Sequence, residues 1–276
     1  MPSNRSADEE TPLLSSPSTP NLRARPVMSR WHQHLAADVS RDWADCILIL
    51  CYLITGLLDS ASISVWGSFV SMQTGNTVYL GLGLASPATS TRWIKSGASL
   101  LAFCIGSFLF SRFHRLFSPK RRWVLAASFT AQMAITAVAA GLVTATATAD
   151  RDRNKDLESL GWEVLVPIAL VAFQSCGQAV VSRALGYNAL TSVVLTSIYC
   201  DLFSDAELFA LRNVERNRRT GAPVFLLVGA IVGGKLVETS WGVAGVLWAA
   251  AVLKAGVVVV WLVWPAEKSV EESLGR

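Results

Sequence analysis

Residues 45–77 read DCILILCYLITGLLDSASISVWGSFVSMQTGNT, and this stretch decides the fold. Between Cys46 and Val70 the only charged residue is Asp59. A helix of about 20 apolar residues crosses a bilayer, so this segment predicts a membrane span. The polar stretch that overlaps its end, MQTGNTVYLG at 72–81, is either a turn in water or a site inside the membrane.

The rest of the chain continues this apolar pattern. Of its 276 residues, 52% are hydrophobic and 16% are charged, whereas a soluble domain has roughly a quarter charged residues. Apolar residues form long blocks instead of alternating, which predicts an all-α polytopic membrane protein with the lipid bilayer as its partner. Basic residues cluster in loops and form no exposed face, so no nucleic-acid partner is predicted.

Eight apolar blocks form a transmembrane domain at 45–265, between a polar, disordered cytosolic tail at 1–44 and a charged cytosolic tail at 266–276. Block two is too short to span as a helix, and block six is short and interrupted by polar residues. The blocks cover about 45–70, 74–86, 93–111, 123–148, 161–182, 187–204, 221–237 and 241–264.

Charge asymmetry limits the number of crossings. The loops at 112–122 and 212–219 are strongly basic, which predicts a cytosolic position for both, whereas the mixed loop at 149–160 is expected on the other side. The two basic loops lie on the cytosolic side only if blocks two and six do not cross the membrane. The prediction is six full spans plus two short broken or re-entrant segments, with both termini cytosolic. Eight full spans is the alternative, and it violates the charge rule at one loop.

The N-terminal tail carries two features. Glu9, Leu13 and Leu14 match an acidic dileucine sorting signal, which a sorting adaptor would read; the alternative is an inert tail. The expected location is the plasma membrane or the vacuolar and other endomembranes. Residues 29–43 place apolar side chains every four residues, which predicts an amphipathic helix on the membrane surface or a soluble extension of the first span.

The two halves of the transmembrane domain, 45–148 and 161–264, share a weak repeat. Gly56–Ala61 precedes Thr74–Thr77 by nearly the same interval as Gly177–Ser182 precedes Thr196–Tyr199. With three full spans each, the halves have opposite orientations, and the two short blocks would enter from opposite faces and meet near the midplane. Transporters are built in this way. Chance matches within a small apolar alphabet are the alternative.

Two ionisable residues lie inside predicted spans, where each is costly unless it is paired or hydrated. Asp59 is predicted to hold a proton or a cation or to form half of an ion pair; otherwise it lies at a helix end near the interface. Lys254 lies near the centre of block eight and is expected to pair with a carboxylate, either Asp59 or Asp201; the alternative is that the true centre of the helix is displaced from Lys254.

Other candidates for a substrate or ion site belong to the two short blocks: Gln73, Thr74, Gly75, Asn76, Thr77, Thr196 and Asp201. Asp201 and Asp205, four residues apart, would share a helix face as an acidic cytosolic mouth or as solvated interface charges. Gln132, Gln174 and Gln178 are explained by interhelical hydrogen bonds without any substrate.

Enzyme chemistry has no recognisable set of residues. The five cysteines lie in apolar blocks without a CxxC pair, and the histidines, at 32, 34 and 114, lie outside the blocks. HExxH, GxSxG and P-loop motifs do not occur. The sequence therefore predicts no enzyme, no metal site and no cofactor.

The pair Gly56-Leu57-Leu58-Asp59 and Thr74-Gly75-Asn76 resembles the YoaK-like family, a broad family of uncharacterised multi-pass membrane proteins in bacteria and fungi. The hallmark of that family is Gly-x-x-Asp in the first span, followed by Thr-Gly-Asn. In the second half the family commonly has Thr-Gly where this chain has Thr196-Ser197, so the second hairpin is modified. The resemblance covers about 45–265, implies about six spans and supplies no substrate; the tail looks like a fungal-type addition.

These features predict a secondary transporter or permease for a small solute, coupled to protons through Asp59, with the Thr74–Thr77 turn contacting the solute. The alternative is a non-transporting membrane scaffold or regulator, in which Asp59, Gly75 and Asn76 serve packing.

Overall fold

The computed structural model describes residues 30–149 and 160–267. Within these residues the chain forms nine α-helices and no strand. They are α1 (Arg30–Ala36), α2 (Ala44–Trp66), α3 (Gln73–Ala85), α4 (Arg92–Leu116), α5 (Arg122–Ala149), α6 (Trp162–Ala184), α7 (Thr196–Phe203), α8 (Val214–Val237) and α9 (Gly242–Val263).

Six of these helices, α2, α4, α5, α6, α8 and α9, are long and apolar enough to cross a membrane. Helix α3 has 13 residues and α7 has 8, so neither reaches the roughly 20 residues that a span needs. The prediction of a polytopic helical membrane protein with six spans and two short segments is confirmed.

The block boundaries differ where the backbone turns. Helix α2 ends at Trp66, before the predicted end of block one, because Gly67 adopts a left-handed conformation (φ 75°) and donates its N–H to the carbonyl of Ile63. Helix α4 continues to Leu116, so His114, expected outside the apolar blocks, lies buried in its last turn. In block six only α7 is helical, and the preceding residues 187–195 form a loop.

Three helix pairs build the bundle: α2 on α8, α4 on α6 and α5 on α9. The short helix α3 packs on α4, and α7 packs on α8. Helices α2 and α6 lie innermost, since 67% of each apolar window is buried, against 28% for α4 and 17% for α8. Helices α4 and α8 therefore present most of their surface to the lipid.

Glycines allow two of these pairs to approach closely. A Cβ atom at Gly229 of α8 would collide with the carbonyl of Leu53 in α2, and one at Gly56 of α2 would collide with the carbonyl of Leu226 in α8. In the α4–α6 pair, a Cβ atom at Gly106 of α4 would collide with the carbonyl of Phe173 in α6. Small residues at such contacts bring helix backbones together in membranes, where van der Waals packing replaces the hydrophobic effect.

The N-terminal segment packs across one end of the bundle. The helix expected at 29–43 is shorter, because α1 ends at Ala36 and the chain then bends. Val39 is fully buried and forms an isolated β-bridge with Ala266. The segment therefore binds to the chain beyond the last span and does not continue as an amphipathic helix.

Both predicted basic loops lie at this same end, which we call the basic end; it comprises residues 30–43, 117–121, 185–213 and 264–267. Arg122 donates to the carbonyls of His34 and Trp264. Arg218 pairs with Asp45 at 2.8 Å. The chain thus makes an even number of crossings between the two basic loops, in agreement with the charge count. The predicted loop at 149–160 lies almost entirely outside the described residues.

Gly229→Ala is expected to lower the free energy of unfolding by about 1–3 kcal/mol, because its methyl group collides with a backbone carbonyl that cannot move without separating α2 from α8. Gly234→Ala is the matched control on the same helix, since its Cβ would meet nothing within 4 Å. Thermal unfolding of the detergent-purified protein measures both. Equal midpoints for the two variants would contradict the close packing.

Candidate functional site

Asp59 fastens the loop that interrupts the membrane-embedded chain after α2. Its side chain is 3% exposed, and its Oδ1 accepts the backbone N–H groups of Val70 (2.8 Å) and Ser71 (2.9 Å). The Ser71 hydroxyl donates to its Oδ2. Both carboxylate oxygens of Asp59 are therefore occupied by residues 70 and 71.

Asn76 holds the other side of the same loop. It is fully buried, and its Oδ1 accepts from the Phe69 N–H and the Ser68 hydroxyl, both at 3.1 Å. Its Nδ2 donates to the Phe69 carbonyl at 2.7 Å and to the Ser99 hydroxyl of α4 at 3.1 Å. The polar stretch at 72–81 is thus neither a turn in water nor, at Asn76, an open binding surface.

The loop requires these bonds because it lies inside the bundle. Ser68 and Val70 are fully buried, and a non-helical backbone at membrane depth must find its hydrogen-bond partners within the protein. Ser175 of α6 supplies another partner by donating to the Val70 carbonyl at 2.9 Å. We call the group Asp59, Ser71, Asn76, Ser99 and Ser175 the loop lock.

The remaining residues of the predicted solute turn separate into two sets. Gln73 joins the lock by donating to the Val70 carbonyl at 3.1 Å, and Gly75 leaves room for the Phe69 ring. Thr74 and Thr77 are exposed, and the Thr77 hydroxyl donates to the carbonyl of Gln73 in its own helix. The structure therefore brings Asp59, Gln73 and Asn76 together and leaves both threonines outside.

Lys254 is the centre of a second polar cluster. It is fully buried near the middle of α9, and its Nζ lies 2.8 Å from Oε1 of Gln132 in α5. The Gln178 amide of α6 is assigned with its oxygen 2.8 Å from Nζ, since the opposite orientation sets donor against donor. Its nitrogen then donates to the Cys51 carbonyl (3.0 Å) and the Ser192 hydroxyl (3.2 Å). We call these five residues the Lys254 cluster.

The expected carboxylate partner of Lys254 is wrong. Asp59 is engaged in the loop lock, and Asp201 is exposed on α7 at the basic end. Among the residues that the structure describes, Lys254 forms no salt bridge, and its hydrogen-bond partners are neutral amide oxygens. A buried ammonium group whose partners are all neutral has no opposite charge beside it, and this favours an anion at that position.

Some buried polar groups near this cluster have no hydrogen-bond partner among the described residues. Nε2 of Gln132 and the hydroxyl of Ser128, one turn away on α5, are buried without a hydrogen bond in the described part of the chain. Buried polar groups are nearly always satisfied in native proteins. These groups together with Lys254 form a donor-rich environment suited to a ligand that accepts hydrogen bonds.

Gly177 sets the position of Gln132. A Cβ atom at Gly177 would come within 2.6 Å of Nε2 of Gln132, so only glycine allows the amide to lie against α6. The sequence assigns Gly177 to the weak repeat and predicts no packing role for it. The reason for it is this close approach between a glutamine on α5 and the backbone of α6.

The second short helix contributes less than expected. Thr196 and Asp201 are exposed on α7. The predicted helix face of Asp201 and Asp205 does not form, because α7 ends at Phe203. Asp205 instead accepts the Glu207 N–H, which holds the pKa of Asp205 below its usual range, and pairs with Arg219 at 3.1 Å.

Serines were the residues that sequence reasoning missed. Ser71, Ser99 and Ser175 in the lock and Ser192 in the Lys254 cluster are all buried. Their position between apolar residues was visible, but serine is common in membrane helices and carries no specific signal. No group of three or more His, Cys, Asp or Glu side chains in the described ranges could hold a metal ion.

The family model for a protein of unknown function, DUF1275, matches residues 47–260. This is more than half of the 276-residue chain, so the chain belongs to the DUF1275 family. The finer resemblance to YoaK-like, fungal-type members stays a prediction. No curated protein and no solved structure matches the chain.

Asn76→Ala is expected to lower the free energy of unfolding by about 1–3 kcal/mol, because it leaves the Phe69 N–H inside the bundle without its partner. Thr77→Ala on the same helix should change it by less than about 0.5 kcal/mol. Thermal unfolding in detergent compares the two. A larger effect at Thr77 than at Asn76 would reverse the assignment of the packed and exposed faces of α3.

Proposed function

We propose that this DUF1275 protein is a secondary transporter or permease for a small solute with an anionic or acceptor-rich group, and that the Lys254 cluster recognises that group. One observation carries the proposal: a fully buried lysine in the middle of a span has amide oxygens as its hydrogen-bond partners in the described chain. Ionisable residues in spans are rare because burial is costly, and they mark substrate or ion pathways.

The hydrogen bonds of the glutamines do not explain why a lysine is buried at position 254. Interhelical hydrogen bonds between Gln132, Gln178 and backbone groups would hold α5, α6 and α2 together without a charge. Lys254 adds a cation that these amides stabilise but do not neutralise. A solute anion arriving beside Nζ would neutralise it and accept from Nε2 of Gln132, so the buried charge favours occupancy.

The helix pairing supports an inverted repeat. In such a repeat, α2, α3, α4 and α5 of the first half correspond to α6, α7, α8 and α9 of the second. The pair α2–α8 then corresponds to α6–α4, the pair α3–α4 corresponds to α7–α8, and the pair α5–α9 corresponds to itself. All five of these pairs occur. With three spans in each half the exchange reverses orientation, which is the architecture of many secondary transporters.

In this proposal the two loops before the short helices take part in alternating access, and their contacts across the two halves support that role. The loop at 67–72 contacts the second half through Ser175 of α6. The loop at 185–195 contacts the first half, where Leu190 packs with Tyr52 of α2. Because the loops enter from opposite ends, rocking of one half against the other would loosen one loop contact while keeping the other.

The basic end is proposed to face the cytosol, since it gathers both basic loops. Both termini would then be cytosolic, in the plasma membrane or the vacuolar and other endomembranes. Glu9, Leu13 and Leu14 lie outside the described residues, and an adaptor that reads them remains a proposal from the sequence.

Leu13→Ala combined with Leu14→Ala is expected to move a fluorescently tagged full-length chain from endomembranes to the plasma membrane, because the adaptor would lose both leucines. Microscopy of a eukaryotic host measures the distribution. A matched Ser15→Ala with Ser16→Ala variant should not move it, and an unchanged distribution of the leucine variant dismisses the signal.

Lys254→Met keeps the length of the side chain and removes its charge. A charge-assisted hydrogen bond is worth about 1.5–3 kcal/mol, so uptake at low solute concentration should fall at least about tenfold. Osmotic light scattering of proteoliposomes, challenged with acetate, lactate, succinate and neutral glycerol, measures it. Thr77→Ala, on an exposed face, is the control and should transport normally.

The same experiment separates transport from a scaffold or regulatory role. The scaffold alternative is favoured by the fully bonded loop lock, in which Asp59 and Asn76 serve only packing. It predicts that Lys254→Met vesicles match wild-type and protein-free vesicles for every solute tested, while the variant loses thermal stability. That result would overturn the permease proposal.

Proton coupling through Asp59 predicts that solute uptake acidifies or alkalinises vesicles loaded with a pH-sensitive dye, and that Asp59→Asn abolishes this change. Ser71→Ala is the control, because it removes one bond to Asp59 and leaves the carboxylate. Coupled proton movement that persists in a folded Asp59→Asn protein excludes Asp59 as the proton carrier.

A further inference from the structure

The outward face of α4 carries a groove that the proposed transport site does not use. It has a volume of about 360 Å³. Its lining comes from α4 alone: Phe103, Cys104, Ser107, Phe108, Ser111, Arg112 and Arg115. Gly106, on the neighbouring face of this helix, packs on α6, and Phe103 also contacts the core. The groove therefore runs beside the α4–α6 contact, with Cys104, Phe108 and both arginines exposed.

The groove has the length of one membrane leaflet. Its residues form two neighbouring rows with a spacing of four along the helix. From Phe103 to Arg115 the helix rises about 18 Å, against about 15 Å for half of the hydrocarbon core. The apolar part, at Phe103, Cys104 and Phe108, lies in the middle of the span, and the two arginines lie in its last turns at the basic end.

Charge differs along the groove. Arg112 and Arg115 are exposed, and neither forms a salt bridge with the residues that the structure describes. The Arg112 guanidinium lies 5.1 Å from the centre of the Phe108 ring, which directs it along the groove. Guanidinium groups bind phosphate oxygens in a bidentate manner, and the serine hydroxyls beside them can donate as well.

A second copy of the chain fits this face poorly. In a two-fold dimer with its axis along the membrane normal, the same residues meet at the same depth. Arg112 and Arg115 would then face their own like charges with no acidic residue in the groove. A water-soluble partner cannot reach Phe103 in the middle of the span. The occupant must be apolar at one end and anionic at the other.

We propose that this groove binds an anionic phospholipid, with its phosphate at Arg112 and Arg115 and one acyl chain along Phe103, Cys104 and Phe108. The site is separate from the Lys254 cluster, and it holds whether or not the protein transports a solute. Arginines at the membrane surface attract anionic headgroups, and each arginine adds to this attraction.

The test uses the full-length chain purified in detergent and titrated with phosphatidylglycerol or phosphatidylcholine of identical acyl chains, with native mass spectrometry of retained lipid. Wild type should retain phosphatidylglycerol preferentially. The Arg112→Gln, Arg115→Gln double variant should bind it about tenfold more weakly. Arg183→Gln with Arg212→Gln removes two exposed arginines from the same end and should bind normally.

A second variant fills the groove without changing charge. Ser107→Trp should weaken retention of phosphatidylglycerol while the protein stays monodisperse and thermally stable. Glycerol 3-phosphate, which has the phosphate but no chains, should not displace the lipid. Equal retention of both lipids, unchanged binding by the double arginine variant, displacement by glycerol 3-phosphate, or a dimer that Ser107→Trp dissociates would each overturn the proposal.

Discussion

The carboxylate of Asp59 accepts two backbone N–H groups from the loop at 67–72, and the arrangement of the first half depends on it. Inside a bilayer, water is not present to satisfy a backbone that leaves the helix, so an interruption of a span needs protein partners. Asp59 supplies acceptors on one side of the loop and Asn76 supplies both donors and acceptors on the other. Gly67 can therefore end α2 early, and α3 can return to pack on α4 without crossing.

The two polar clusters differ in how their hydrogen-bonding capacity is used. In the loop lock, both oxygens of Asp59 and both ends of the Asn76 amide are bonded within the protein, which makes the lock rigid. In the Lys254 cluster, Nε2 of Gln132 is buried without a described partner, and the lysine charge is not neutralised. Saturated networks specify a structure, whereas excess donors beside a buried cation suit a ligand. This contrast moves the candidate site from the stretch at 72–81 to Lys254.

The sequence predicted the spans because length and hydropathy are local properties, and it predicted the common basic end because loop charge is local as well. The sequence could have predicted which face of α3 is packed, because helical periodicity separates the two sets of residues once the segment is taken as a helix. Gln73 and Asn76, three residues apart, point inward, while Thr74 and Thr77 point outward. The hydrogen-bond partners of Lys254 could not be predicted from the sequence. They depend on α5 packing against α9, and the rule that a buried cation takes a carboxylate failed because Asp59 was already engaged by loop N–H groups.

Amide partners suit the reversible anion binding that we propose for Lys254. A carboxylate beside Lys254 would form a buried ion pair, and breaking such a pair at each binding event would cost several kcal/mol. The oxygens of Gln132 and Gln178 accept hydrogen bonds from the ammonium group, and the proposed anion would replace one of these oxygens while Nζ still donates to the other. Gly177 leaves room for the Gln132 amide against α6, which places its nitrogen near the lysine. A lysine solvated by neutral amides is therefore better suited to reversible anion binding than a lysine locked to an internal acid.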